Sequence, residues 1–401
     1  MVSEAPPHDL LLTGGRLVDP RNGIDGVRDI AISRGRVAAV AASLDPGSAR
    51  AVRDLRGLLV TPGLIDLHTH IYHRATSYGV APDPVAERSA VTCMVDAGSA
   101  GAGSFAGLRD FVIARSRSRI LAFVNISFPG IFAFDRGLMF GEASLSELLS
   151  VERCVAVVRE NRDVVAGIKV RLGAGTSGRI GLEALERALE AARQTGLPVM
   201  THIGKPPPGY DEILARLRPG DILTHCFRPA PNAPVDDAGR LLPALLEARR
   251  RGVLFDIGHG MGAFGFSSAE AAIAHDFAPD IVSSDVHMLC VDGPAFDLLH
   301  TMSKLATCGV GLSDVIAMAT DAPAKAMRRS DLGHLSVGAP ADISLLETVE
   351  ARYPFVDVAG VEREGAMLFR PRGLLRAGQF CEPVPRSWET PYYRDGVLHD
   401  H

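Results

Sequence analysis

Six side chains carry most of the chemistry this chain can do: His68, His70, Lys169, His202, His225 and Asp285. His68 and His70 close a short apolar run and are separated by one residue. Side chains alternate along a strand, so the two imidazoles project together. Two converging neutral imidazoles can hold a divalent metal ion. Such a pair alone is as readily two hydrogen-bonded core histidines. The other four residues decide against that, because each stands at or near the end of its own apolar run. Four imidazoles, a carboxylate and a lysine are a sufficient ligand set for two metal ions. An ammonium is no ligand, but a buried lysine has a lowered pKa and can be neutral. A neutral amine can add CO₂, and the resulting carbamate offers two oxygens that bridge two cations.

The elements that must position these residues follow from the texture of the chain. Residues 10–60 read as short strands with hairpin turns, one of them at Gly14-Gly15. After His70, apolar runs alternate with helix-like stretches. The runs are 60–70, 91–96, 120–126, 164–171, 197–202, 221–225, 252–257 and 281–285, with helices expected around 105–115, 145–161 and 182–194. Near-continuous apolar strands alternating with helices mean a parallel sheet, and eight such units mean a (β/α)₈ TIM barrel. Its chemistry lies at the C-terminal ends of the strands. From about Leu332 the β texture returns, with strand expected on through 356–361. This tail is expected to join the N-terminal strands in a small discontinuous β-sandwich module. The division is then 1–60 with 332–401 around a barrel of 61–331. The runs 206–209 and 258–266 read as loops at the barrel mouth. The tail 382–401, with His399 and His401, carries no pattern.

Composition bounds the partners. The 401 residues suffice for one large domain and a smaller module. Hydrophobic residues are 47% and charged residues 22%, a globular balance, and the net charge of −5 offers no basic footprint for nucleic acid or an anionic membrane. No apolar run reaches the roughly 18–20 residues that span a bilayer. The start of the chain has no basic, then apolar, leader pattern, so a cytoplasmic location is expected. The six cysteines lack CxxC spacing and read as reduced thiols. Homo-oligomers are common among barrels of this size, though no stretch identifies an interface.

The pattern resembles the amidohydrolase superfamily. The matching pieces are PGLIDLHTH at 62–70, GIKVR at 167–171, MTHIG at 200–204, LTHCF at 223–227, SSDVH at 283–287 and the closing GHLSVGAPADISLL at 333–346. GIKVR, FDIGHG at 255–260 and the DxH ending are similar to the deacetylase-like bacterial group, related to dihydroorotases. The resemblance implies hydrolysis of N-acyl or O-acyl derivatives of small α-substituted carboxylic acids. It implies that His68, His70 and Asp285 bind the more buried metal, that His202 and His225 bind the second, and that carboxylated Lys169 bridges them. Zinc suits the imidazole-rich set best. The metals acidify a bridging water, and the hydroxide attacks the carbonyl with Asp285 as general base and then acid.

Four further residues are candidates for substrate binding. Arg171 follows Lys169 by two and should face the same mouth, where it could grip a carboxylate. The competing reading is a rim arginine paired with an acid of the protein. His259, between two glycines, could reach the substrate or the oxyanion. Tyr72 and Asn125 could line the pocket. His287 is read as structural, Asp66 as a group orienting a neighbour, and Cys226 as packing.

Two other functions share parts of this pattern. A cyclic-amide hydrolase of dihydroorotase or hydantoinase type has the same metal shell. Against a dihydroorotase, Tyr72 stands where that enzyme carries a carboxylate-binding arginine two residues after the second histidine, and Arg74 is two further on. A one-metal deaminase would not need Lys169. A non-catalytic assembly barrel would be expected to have lost ligands, and none is missing.

Overall fold

The computed structural model describes residues 6–135 and 137–384. Among the described residues fifteen strands form two sheets. The strands are β1 (His8–Asp19), β2 (Ile24–Ser33), β3 (Arg36–Ala41), β4 (Ala49–Asp54), β5 (Leu59–Pro62), β6 (Leu64–Thr69), β7 (Val91–Gly101), β8 (Arg119–Asn125), β9 (Val165–Leu172), β10 (Val199–Ile203), β11 (Ile222–Thr224), β12 (Leu254–Asp256), β13 (Ile343–Val356), β14 (Glu362–Arg376) and β15 (Gln379–Cys381). Ten α-helices accompany them among the described residues. They are α1 (Pro82–Arg88), α2 (Phe105–Phe111), α3 (Val151–Glu160), α4 (Leu182–Thr195), α5 (Tyr210–Leu214), α6 (Pro243–Arg251), α7 (Phe266–Ala274), α8 (Leu298–Thr307), α9 (Leu312–Met318) and α10 (Asp321–Ala326).

Strands β6 to β12 pair in sequence order, all parallel. The eighth run closes the circle through single bridges. Ile281 pairs with Asp256 on one side and Val286 with Thr69 on the other. The backbone bonds Asp285 N to His68 O (2.7 Å) and His70 N to Val286 O (2.9 Å) fasten that seam. The helices lie outside. In α4 the apolar positions Ala184, Leu185, Ala188, Leu189 and Ala192 recur at helical spacing and are buried, and Gly196 ends the helix in the left-handed conformation.

The second sheet runs β15-β14-β13-β5-β1-β2-β3, with β4 beside β1. It takes strands from both ends of the chain, because β5 pairs antiparallel with β13. Gly63 is the pivot between the two sheets. Its N–H bonds Asp342 O at 2.8 Å, and a Cβ there would strike Thr92. The apolar run that ends in His68 and His70 is therefore two strands, one per sheet.

Three local expectations are corrected. Gly14-Gly15 is not a hairpin turn: β1 runs straight through it, and its register with β2 shifts between Leu12 and Gly15. That is a bulge, with Gly14 at φ +76°. The helix expected over 145–161 begins only at Val151, where the Ser150 side chain accepts from Arg153 N. Residues 357–361 do not extend β13; they turn it back into β14, with Asp357 N bonded to Val361 O at 3.0 Å. All six cysteines are free. Among the described residues no helix is long and apolar enough to cross a membrane. The tail beyond residue 384 lies outside the described residues.

Candidate active site

The barrel mouth holds a cavity of about 220 Å³ whose wall includes His68, His70, Lys169, His202, His225 and Asp285. Two bulges help to aim these side chains. The register of β6 on β7 shifts between Asp66 and Thr69, and that of β8 on β9 shifts between Ala122 and Phe123. Ile65, Leu67 and Ala166 pack in one apolar cluster with Phe123 and Met200. Beyond the bulges, His68 and Lys169 nevertheless face the cavity, which strict alternation would not allow. Gly98, at φ +83°, gives Lys169 its room: a Cβ there would sit 2.5 Å from Lys169 Cβ.

Hydrogen bonds fix the proton on two of the imidazoles. Thr224 Oγ1 donates to Asp256 Oδ2 (2.7 Å), so it accepts from His68 Nδ1 (2.8 Å). Gly258 O accepts from His225 Nδ1 (2.7 Å). The Nε2 atoms of His68 and His225 therefore carry lone pairs. His70 Nδ1 lies 2.8 Å from Ser99 Oγ. His68 Nε2 and His70 Nε2 stand 3.3 and 3.2 Å from Asp285 Oδ1, and that buried oxygen has no hydrogen-bond donor. The His202 ring meets His225 edge-on, with centroids 4.5 Å apart.

Burial dominates the electrostatics. It pushes all four imidazoles well below their usual pKa, and the Lys169 cation adds to the effect. Burial also raises Asp285 well above the carboxylate range, against the pull of Lys169 and Arg171. Lys169 is 0% exposed and brought down to about 7 by burial. Among the described residues its Nζ has hydrogen-bonding contacts only with His68 Nε2 and Met200 Sδ, both at 3.2 Å.

The His68 lone pair facing the Asp285 carboxyl oxygen is repelled unless a proton or a metal cation lies between them. The donor set therefore fits a metal. His68, His70 and Asp285 alone could hold one, their ligand atoms lying within 4.8 Å of one another.

The four candidates for substrate binding separate. Arg171 lines the cavity but is paired, Nη1 to Glu142 Oε2 at 3.2 Å, as in the competing reading. His259, Tyr72 and Asn125 are not part of the cavity wall. His259 is fully buried, stacked on Phe264, with Nε2 2.9 Å from Lys304 Nζ. The Tyr72 hydroxyl donates to Ser104 O at 3.0 Å. Asn125 is buried in backbone bonds, Nδ2 to Gly98 O and Oδ1 from Ser127 N. All three have polar atoms bonded to other groups of the protein. Asp66 does orient a neighbour: it accepts from Ser284 N (3.0 Å) and Ser284 Oγ (2.5 Å), just before Asp285.

Sequence reasoning missed Tyr78, Phe134 and Arg228 in the wall, and it read His287, which also lines it, as structural. Tyr78 stacks on His287 with centroids 4.5 Å apart and packs against His70 at 4.4 Å. They stand on irregular loops, where no periodicity announces direction. Only His287 carried a signal, two residues after Asp285.

Known proteins bear on this geometry. The model of the amidohydrolase family matches residues 59–218 and 265–369. A deacetylase of Agrobacterium fabrum is 33% identical over 367 residues, covering 92% of this chain and 89% of the relative. A solved adenine deaminase is 31% identical with a TM-score of 0.87, covering 94% of this chain and 100% of that one. A solved dihydroorotase is 33% identical with a TM-score of 0.85, covering 93% and 98%.

Proposed function

The chain belongs to the amidohydrolase family and is a hydrolase acting on carbon–nitrogen bonds, and from that premise we propose that it cleaves amide or ester acyl bonds in small N-acyl amino acids or O-acyl hydroxy acids. The observation that carries this reading is the ring of four neutral imidazoles, three of them buried, with Asp285 and a lysine amine that has no oxygen partner among the described residues. The relative named a deacetylase supports the acyl substrate. Lys169 weighs against a one-metal deaminase. Tyr72, bonded to Ser104 O, weighs against a dihydroorotase that binds its substrate there.

In this proposal His68, His70 and Asp285 would hold one ion and His202 and His225 a second, with a carbamate on Lys169 as a further ligand. When bound, divalent ions, zinc by donor type, supply an acidified water and polarise a carbonyl. Asp285 takes the proton of the attacking water on a carboxylate oxygen. As the new carbon–oxygen bond forms and the bond to nitrogen or oxygen breaks, the same proton passes to the leaving atom. The threonine and carbonyl partners of His68 and His225 hold those rings in one tautomer. Tyr78, Phe134 and Met261 wall the cavity and keep bulk water from the reacting carbonyl. The cavity is below the roughly 300–1,000 Å³ of drug-sized sites, which favours a small substrate. We also propose the division of the chain at 1–60 with 332–401 and 61–331.

The test is a panel on zinc-loaded enzyme prepared with bicarbonate: N-acetyl amino acids of both hands, O-acetyl mandelate, dihydroorotate and hydantoins. Turnover of the linear acyl acids alone is expected. Turnover of the cyclic amides alone would replace this substrate with the second reading, which the dihydroorotase neighbour favours. A mass increase of one CO₂ on the peptide holding Lys169 is expected under native conditions.

A further inference from the structure

We propose that Arg228, not Arg171, recognises a carboxylate on the substrate, so that the enzyme selects acylated acids over their neutral esters and amides. The substrate class rests on the deacylase reading above. Arg228 follows His225 by three residues in the loop leaving β11, and it lines the cavity beside His202 and His225. Its backbone N–H donates to His225 O at 3.3 Å, and Nη1 donates to Ile203 O at 2.7 Å. These bonds hold the guanidinium at the cavity wall. Its Nε is buried with no acceptor. Among the described residues no carboxylate lies within ion-pair distance of it.

The contrast with Arg171 decides between the two cations. Arg171 is countered by Glu142, itself almost fully buried. A cation with its own carboxylate has little to gain from a second one. A half-buried guanidinium with one carbonyl and no anion keeps most of its desolvation cost uncompensated. A planar carboxylate entering the cavity supplies both charge and acceptors, in the geometry an arginine fork matches best.

The experiment compares wild type, Arg228→Met, Arg228→Lys and Arg171→Met as full-length, metal-loaded enzymes on an N-acetyl amino acid and its methyl ester. Arg228→Met is expected to lower kcat/KM for the free acid about 10- to 150-fold, mainly through KM, and for the ester less than about threefold. Arg228→Lys should recover part of the loss, and Arg171→Met should affect acid and ester alike. Equal losses on acid and ester in Arg228→Met overturn the proposal. If Arg228→Met does not fold, Arg228→Lys carries the test through the same acid-to-ester ratio. If wild type hydrolyses only cyclic amides, the deacylase reading fails. Arg228 is then judged on dihydroorotate, which has a carboxylate, against hydantoin, which has none. If nothing turns over, calorimetry with the N-acetyl amino acid and its amide decides. Loss of acid binding alone supports the proposal, and unchanged acid binding overturns it.

Discussion

Two buried lysines sit beside histidines in this molecule, and they have opposite surroundings. Lys169 Nζ meets an imidazole lone pair and a thioether, with no oxygen partner. Lys304 Nζ meets His259 Nε2 (2.9 Å), Pro294 O (2.7 Å) and Val356 O (2.6 Å). Both are 0% exposed, and burial brings both to about 7. Residue type, burial and pKa therefore do not distinguish them. Acceptors do. Lys304 is saturated by backbone carbonyls, one of them from β13, and so ties α8 of the barrel to the second sheet. Lys169 is left open among groups that also lack donors, which is the mark of a site awaiting a ligand.

The comparison can be broken by exchanging the two lysines for methionine. Lys169→Met should cut turnover by about 10³-fold or more, since it removes the proposed bridging ligand. The thermal stability of the metal-free variant should stay within about 1 kcal/mol of wild type, because no oxygen acceptor is orphaned. Retention of turnover would place Lys169 with Lys304 as structural. Asp285→Asn tests the same mouth. Turnover should fall by about 10²–10⁴-fold while metal content, read by atomic absorption, is largely kept. Near-normal kcat would remove Asp285 from proton transfer.

Lys304→Met should do the reverse. Its carbonyl and imidazole partners lose their donor, so denaturant unfolding should show a loss of about 2–4 kcal/mol. The kcat of the folded variant should change little. A further expected effect is in pH. The folded pKa of Lys304 lies near 7 and its ordinary value is 10.5. Between those values the unfolded chain binds the extra proton, so raising pH favours the folded state by up to about 1.4 kcal/mol per pH unit. The stability deficit of Lys304→Met should therefore widen from pH 7 to 10. A constant deficit would mean that Lys304 titrates normally.

The fold was legible because its signals are local. Apolar runs alternating with helical periods mark the parallel barrel, and polar residues at the run ends mark the mouth. What misled was also local. The glycines at 14 and 15 look like a turn, but Gly15 packs against Val60 and Leu55 as part of a bulged strand. Gly258 and Gly260 around His259 suggested close approach to a ligand. Instead, Cβ atoms at those glycines would collide with Thr224 and Asp285, so the loop wraps the proposed ligand residues while His259 points back to Lys304.

By itself the sequence determined the barrel, the two-ended second sheet and the six polar side chains that meet at the mouth. Period and strand-end position are properties of neighbouring residues. Only the tertiary structure decided which of two arginines already has a counter-ion and which of two lysines already has acceptors. It also decided which histidine turns away from the cavity. Those are matters of partners distant in the chain: Glu142 lies 29 residues from Arg171, and Val356 lies 52 from Lys304. A charge is spent or available according to what folding brings beside it, and no local pattern records that.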